Sequence, residues 1–112
     1  MQMLMVILKK TELVEQIMHN LAESGIRGGT IVDGTGMAKA LVNMEDLPMF
    51  GMLRHLFLDE EKLVSKLLIF VLKNDQVEIT RGIIKEVVGD LSEPNTGIMF
   101  SIPITDVEGF GE

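Results

Sequence analysis

Five glycines within twelve residues are the first feature of this sequence that suggests ligand chemistry. They stand at positions 25, 28, 29, 34 and 36. Successive backbone N–H groups in such loops can bind a phosphate. Their spacing matches neither a P-loop nor a dinucleotide-binding fingerprint. Turns with one close backbone approach would need the same glycines, so both interpretations stay open.

The two histidines offer little metal or acid–base chemistry. His19 lies four residues from Glu15 and four from Glu23, the spacing of a solvent-exposed helix face. His55 and Asp59 are one helical turn apart and supply two ligands, whereas a protein metal site normally needs three or more. We therefore predict no metal site.

The sequence also offers few of the residues that nucleophilic catalysis requires. The chain has no Cys and no Tyr, and no serine lies in a Gly-x-Ser-x-Gly setting. An activated nucleophile needs an adjacent base, and no such pair is apparent in the sequence. We predict no catalytic residues and no enzymatic activity.

Composition and charge narrow the class of protein further. The chain has 112 residues, 46% of them hydrophobic and 24% charged, which suits one globular domain covering residues 1–112. The net charge is −7 and the basic residues form no stripe, so nucleic-acid binding is not expected. The longest apolar run, residues 67–72, is too short to span a bilayer. With no secretion signal apparent, we expect a cytoplasmic protein.

Apolar periodicity predicts four strands and two helices. The strands are expected at residues 3–8, 30–32, 63–72 and 98–104, with turn chemistry at 33–36. Thr11 is the expected N-cap of the first helix, which ends at Ser24 and Gly25. Asp75 and Glu78 have capping-box spacing at the start of the second. The apolar face expected for that helix consists of Ile79, Ile83, Ile84, Val87 and Val88.

This order predicts an α+β domain with a ferredoxin-like βαββαβ sandwich and an antiparallel sheet. A long insertion, residues 38–62, separates the second strand from the third. The four strands look apolar on both faces, yet two helices can cover only one face. The uncovered face implies a partner, and self-association into a homotrimer is the expectation.

Two blocks of sequence resemble the nitrogen regulatory PII family. Residues 21–32 read LAESGIRGGTIV, and residues 97–104 read GIMFSIPI, similar to the family's closing strand. Ile7-Leu8-Lys9, Leu13 and Val14 also agree with the family pattern. The resemblance covers about residues 3–37 and 64–105.

The resemblance implies a trimeric signalling protein with sheets facing inward, acting in nitrogen regulation. It also implies an adenine nucleotide (ATP, ADP or AMP) in clefts between subunits. Gly36, Met37 and Lys39 would form one side of the cleft, and residues 95–99 of the neighbour the other. The ligand-binding set that it predicts is Thr30, Gly36, Met37, Lys39, Asn95, Thr96, Gly97, Ile98 and Met99.

Several departures from the family pattern bear on the ligand. Gly36-Met37-Ala38-Lys39 stands where the family has Gly-Phe-Gly-Arg, and Ile98 replaces a lysine. Residues 107–110 have no counterpart of the family's Arg-x-Arg, and the docking-loop tyrosine is absent. Because triphosphate recognition depends on charged donors, we expect weaker ATP binding than in typical members.

In the PII-like family the insertion is the loop that docks on a target protein, an enzyme or a transporter. Here it is rich in methionine, which suits adaptable contact surfaces, and Pro48 follows Asp46 as in the first turn of a short helix. The docking residues predicted are Met49, Phe50, Met52, Arg54, His55 and Phe57. A helix permanently packed on its own trimer is the alternative.

Three functions stay open at this point. The first is a non-catalytic PII-like regulator that senses a small ligand and docks on a target. The second is a small acylphosphatase-like enzyme on the same fold, for which Arg27-Gly28-Gly29 only faintly resembles the anion loop. The third is a structural or adaptor trimer that has lost ligand sensing. The fold alone does not decide among them.

Overall fold

The computed structural model describes residues 1–37, 40 and 64–111 as an α+β unit. Within these residues no helix is long and apolar enough to cross a membrane. A short 3-10 turn, Thr11–Leu13, precedes the first helix. The regular elements are β1 (Gln2–Leu8), α1 (Val14–Glu23), β2 (Thr30–Thr35), β3 (Val64–Leu72), α2 (Asn74–Val88) and β4 (Gly97–Pro103).

The four strands form one antiparallel sheet in the order β2-β3-β1-β4. β1 is central and pairs along its whole length with both β3 and β4. β2 and β4 therefore lie at opposite edges. Two β-α-β units that interlock in this order are compatible with the predicted ferredoxin-like plan.

The hydrophobic core lies between the sheet and the two helices. Leu4, Val6 and Leu8 of β1 are fully buried, and β3 contributes Leu68, Phe70 and Leu72. Because strand side chains alternate between faces, these residues share the helix-covered face of the sheet. The helices bury Val14, Ile17, Leu21, Val77, Ile84 and Val88 against them.

Helix α1 ends as expected but begins differently. Its last carbonyls accept from the N–H groups of Gly25 and Ile26, at 3.1 and 2.9 Å, in a Schellman motif with Gly25 at φ +83°. Thr11 is not its N-cap, because a 3-10 turn intervenes and α1 begins at Val14 without a side-chain cap. The prediction of a Thr11 cap was wrong.

Helix α2 begins one residue earlier than its predicted cap. Asp75 lies in its first turn, and Gln76 Oε1 accepts the Lys73 N–H at 3.1 Å. Ile79 is 53% exposed, so its predicted place on the apolar face was wrong. Val77 and Thr80 are buried as well, whereas Ile83, Ile84, Val87 and Val88 pack in or against the core as predicted.

Strand β2 continues through residues predicted as a turn. Asp33, Gly34 and Thr35 pair with Lys66, Ser65 and Val64 of β3. A Cβ on Gly34 would lie 2.6 Å from Leu67 Cδ1 and 2.7 Å from Ser65 Oγ. Close packing against β3, rather than a turn, is therefore what requires this glycine.

The face of the sheet opposite the helices has no cover among the described residues; we call it the open face. The strand register places ten apolar side chains and no charged side chain on its paired positions. The expectation of an apolar second face is thus met on all four strands, with Thr30, Gly34 and Ser65 as its remaining positions. Its apolar members are Met3, Met5, Ile7, Val32, Leu67, Ile69, Val71, Ile98, Phe100 and Ile102.

Candidate functional site

The residues predicted to bind a ligand fall into two groups at one end of the sheet. The strand register aligns Asp33, Lys66, Leu8 and Gly97 in a single row across the four strands. Gly36 and Met37 follow the β2 end of this row, and residues 95–97 lie at its β4 end. The two groups are therefore at the same end of the sheet but at opposite edges.

The β2 group is exposed. Met37 is 78% exposed, and Gly36 O accepts the Ala40 N–H at 3.1 Å in the first turn after the strand. Thr30 is exposed as well but lies at the other end of β2, opposite Ile69. The structure thus separates Thr30 from Gly36 and Met37. Lys39 lies outside the described residues.

The β4 group is built on constrained backbone. Asn95 has φ +61°, and Gly97 has φ +151° with its Cα close to the Ile7 carbonyl. Thr96 O accepts the Lys9 N–H at 3.0 Å, which ties this loop to the end of β1. The Thr96 hydroxyl is buried and has no hydrogen-bond partner among the described residues. A buried hydroxyl without a partner is uncommon. The β4 group is therefore the more unusual of the two groups.

Ile98 and Met99 point to opposite faces of the sheet. Ile98 is 60% exposed on the open face, whereas Met99 packs against the core beside the helices. Met99 therefore contributes to the core of its own chain, and the prediction that both residues line one ligand surface is not met.

The loop before the β4 group is held by a local turn. Asp90 Oδ1 accepts the Ser92 hydroxyl at 2.7 Å and the Ser92 N–H at 2.9 Å. The hydroxyl hydrogen bond, followed by the backbone one, lowers the pKa of the exposed Asp90 carboxyl. The turn fixes how the chain leaves α2 and enters residues 93–97.

The two groups are too far apart to act together within one chain. Three strand spacings separate β2 from β4, which is about 14 Å. A small ligand held by both groups of one copy would have to cross the ends of β3 and β1. A small ligand bound to one copy could therefore contact only one of the two groups, which we call the β2 half-site and the β4 half-site of the predicted ligand site.

Charge at this end of the sheet comes from residues that sequence reasoning did not select. The described members of the predicted set carry no charge. Lys9 and Lys10 directly follow β1, and the Lys9 backbone bonds Thr96. Lys66 lies in the same row but is paired with Asp33. The signal in the sequence is the Lys9-Lys10 pair, which directly follows the first strand.

A cavity lies at the opposite end of the sheet. It contains none of the ligand-binding set that the resemblance implies, but it is lined by Gly25, Arg27 and Gly28, which the glycine pattern and the acylphosphatase-like alternative had selected. Its volume is about 540 Å³, and its polar side chains are Arg27, Gln76 and Glu108. The α1–β2 loop, the start of α2 and the chain after β4 enclose it, with Val71, Val107 and Phe110 as its apolar lining. Sequence reasoning missed it because its walls are far apart in the chain.

The remaining predicted residues are His19 and the docking residues of the insertion. His19 Nε2 lies 3.0 Å from Glu23 Oε1 with both side chains largely exposed, as expected for a surface histidine. The docking residues Met49, Phe50, Met52, Arg54, His55 and Phe57 lie outside the described residues.

Fold and site together define an α+β domain with an uncovered apolar sheet face and two separated half-sites. Comparison with protein-family models finds no match, and comparison with curated proteins finds none either.

Proposed function

We propose that this chain is a non-catalytic, cytoplasmic PII-like regulator. In this proposal it forms a homotrimer, senses an adenine nucleotide (ATP, ADP or AMP) between subunits and docks on a target protein through residues 38–62. The sequence resemblance suggests the role, and the interlocked β-α-β topology is compatible with it.

One observation carries the proposal: the two half-sites lie at the same end of the sheet but at opposite edges. In a closed ring, each copy presents one edge to each neighbour. The β2 half-site of one copy, with Gly36 and Met37, then meets the β4 half-site of the next, with residues 95–97. The proposed nucleotide lies in that junction, where backbone N–H groups are available as partners.

The charge of the site decides which nucleotide is preferred. Phosphate recognition is strongest with charged donors. Lys9, whose backbone N–H donates to Thr96 O, and its neighbour Lys10 are cations that the structure ties to the β4 half-site. Two lysines, without the bidentate guanidinium group of an arginine, favour a mono- or diphosphate over the triphosphate. The described members of the predicted set carry no charge, which also favours the second candidate, an adaptor trimer that binds no nucleotide.

Calorimetric titration with ATP, ADP and AMP tests the proposal and distinguishes it from the adaptor. We expect binding without a strong preference for ATP. Absence of heat with all three nucleotides, together with intact trimers by light scattering, would leave the adaptor as the better description. A strong preference for ATP would show that the charge argument is wrong.

A matched pair of substitutions locates the ligand. Lys9→Ala removes a cation at the half-site end of the sheet, and Arg27→Ala removes one at the cavity end. We expect Lys9→Ala to weaken nucleotide binding about 10- to 150-fold, as for one charge-assisted contact, and Arg27→Ala to leave it unchanged. The reverse result would place the nucleotide in the cavity lined by Arg27 and Gln76.

Hydrogen exchange across residues 38–62 tests the docking role. A regulator requires nucleotide or target to alter protection there, since a ligand shifts an equilibrium only by binding one arrangement better. Protection that neither nucleotide nor cell extract changes would remove this part of the proposal.

A further inference from the structure

We propose that the cavity lined by Arg27, Gln76 and Glu108 is a separate ligand site, and that its ligand is a zwitterionic α-amino acid with an apolar side chain. The cavity is formed within one chain, at the end of the sheet away from both half-sites. Such a site depends neither on nucleotide binding nor on assembly of copies, so it goes beyond the proposed function.

Two opposite charges line this cavity from different segments of the chain. Arg27 belongs to the α1–β2 loop, and Glu108 belongs to the segment after β4. Both residues are exposed, and they form no ion pair with each other. Neither side chain has a hydrogen bond or an ion pair with another described residue. A ligand that carries both an anionic and a cationic group can therefore bind the two at once.

Arg27 and Gln76 are suited to the carboxylate group of such a ligand. A guanidinium group binds a carboxylate through two parallel hydrogen bonds. Gln76 Oε1 already accepts the Lys73 N–H at 3.1 Å, which leaves the amide NH2 group of Gln76 as a further donor in the cavity wall. The two side chains together match the acceptor oxygens of one carboxylate.

Glu108 is the acceptor for the ammonium group, and glycine backbone forms much of the surrounding wall. Gly25 and Gly28 both have φ +83°, and Gly109 and Gly111 have φ +77° and +66°. Glycine adopts this conformation readily and lets a ligand approach the backbone closely. A Cβ added at Gly28 would have nothing within 4 Å, so no packing within the described chain fills the space beside it.

The size and the apolar lining of the cavity favour a large apolar side chain on the ligand. Its volume of about 540 Å³ lies within the range of about 300–1,000 Å³ that small-molecule sites occupy. An ammonium and a carboxylate group fill only a small part of it. Val71, Val107 and Phe110 supply the apolar wall, and Val71 and Phe110 are half-buried. An aromatic amino acid would bury its ring against them.

The charge balance of the cavity argues against a phosphate as its ligand. Among the described residues that line it, Arg27 and Glu108 are the charged ones, and their charges cancel. A phosphate group would gain one guanidinium but would face the Glu108 carboxylate, and such like-charge contacts are unfavourable. A zwitterion has no net charge and satisfies both groups.

A ligand series on the wild-type full chain tests the site without depending on any variant. L-phenylalanine, titrated while the protein amide NMR spectrum is recorded, should shift the signals of Gly25, Gly28 and Gly109. Phenylpropionate lacks the ammonium group and phenethylamine lacks the carboxylate. Each should bind about 10- to 150-fold more weakly than phenylalanine, as expected for the loss of a hydrogen bond to a charged group. Free glycine, which lacks the apolar side chain, should also bind more weakly.

Two substitutions assign each end of the ligand to its partner. Arg27→Gln and Glu108→Gln should each weaken phenylalanine binding about 10- to 150-fold. Glu108→Gln should not weaken phenylpropionate binding, because that ligand has no ammonium group to lose a partner. Lys85→Gln and Glu86→Gln are the matched controls, since both residues are exposed on α2 and neither lines the cavity. They should bind phenylalanine as the wild type does.

Three results would overturn the proposal. Phenylalanine that shifts none of the amide signals of the cavity wall would refute the site. Equal affinity for phenylalanine and phenylpropionate would refute an amino acid as the ligand, because Glu108 would then contribute nothing. ADP that competes with phenylalanine for the cavity would assign it to the nucleotide. The first two results would leave the proposed nucleotide sensing unaffected, since calorimetry with ADP tests that separately.

Discussion

Gly97→Ala is the substitution whose effect the structure determines most sharply. Gly97 begins β4 opposite Leu8, with φ +151°, a region that L side chains rarely adopt. A Cβ there would lie 2.5 Å from the Ile7 carbonyl oxygen, which is backbone and cannot rotate away. Alanine must therefore either separate the start of β4 from β1 or change the conformation of the loop.

The expected cost is about 2–5 kcal/mol. Holding a non-glycine residue in that conformation costs about 1–3 kcal/mol, and each backbone hydrogen bond lost from the β1–β4 pair adds about 0.5–1.5 kcal/mol. Gly82→Ala is the matched control, since nothing lies within 4 Å of its added Cβ in α2. Alanine there should stabilise by about 0.5–1 kcal/mol, because glycine is a poor helix former.

Urea unfolding followed by circular dichroism, at one fixed protein concentration, measures both effects. With an m-value of about 1–3 kcal/mol/M, the midpoint should fall by roughly 1–2 M for Gly97→Ala and rise slightly for Gly82→Ala. Equal midpoints for Gly97→Ala and the wild type would show that Gly97 does not lie against Ile7, and the β1–β4 register would have to be revised.

Four further substitutions probe the core, two buried hydroxyls and the α2–β4 loop. Ile84→Ala should lower the unfolding free energy by about 2–5 kcal/mol, since it leaves a cavity in the core; a loss below 1 kcal/mol in urea unfolding would contradict its full burial. Thr96→Val should be neutral or stabilising by up to about 1 kcal/mol, because it removes a buried hydroxyl without a described partner. Thr80→Val should lower the unfolding free energy by about 1 kcal/mol, because the Thr80 hydroxyl donates to Gln76 O at 2.8 Å. Urea unfolding that shows similar losses for Thr96→Val and Thr80→Val would refute this expected difference. Asp90→Asn should lower stability above about pH 4, and the difference should disappear as pH falls through the folded-state pKa, which lies below 3.8. The folded-state pKa of Asp90 is lowered, so its contribution is present above the ordinary value near 3.8 and lost as pH falls through the folded pKa; a pH-independent difference between variant and wild type would refute this.

The strands and helices were predictable where local pattern and tertiary packing agree. The Schellman end of α1 needed only Gly25, whose left-handed conformation no other residue adopts as readily. The end of β2 was not predictable, because Asp33 and Gly34 have turn chemistry. Their pairing with β3 depends on residues more than thirty positions away, which local propensity does not report.

The prediction that Ile79 lies on the buried face of α2 was wrong for a related reason. Ile79 fits a helix periodicity as well as its neighbours do, and only packing decides which residues are buried. The helix buries Thr80, whose hydroxyl is satisfied by its own backbone, and leaves Ile79 exposed. A polar residue that supplies its own hydrogen-bond partner is not recognisable as a core residue from sequence.

The resemblance selects residues for the candidate site but does not give their arrangement. The resemblance selected Gly36, Met37 and residues 95–97, and the register places them at one end of the sheet. It also selected Met99, which packs in the core. A motif gives the order of residues along a strand, while strand alternation assigns them to opposite faces. Lys9 was missed because the backbone bond that brings it to Thr96 joins segments far apart in the chain.

The central position of β1 has a consequence for how this chain acquires its structure. Leu8 cannot pair with β3 until Lys66 has been synthesised, and Gln2 cannot pair with β4 until Pro103 has been synthesised. Only then can β1 have both of its neighbouring strands. At synthesis rates of about 5–20 residues per second, β1 spends several seconds with its hydrogen-bonding groups unpaired. Contacts so distant in sequence also make folding slow. During that interval an apolar strand with two free edges is available to other chains, so aggregation in early synthesis, rather than unfolding of the finished domain, is where this topology is most vulnerable.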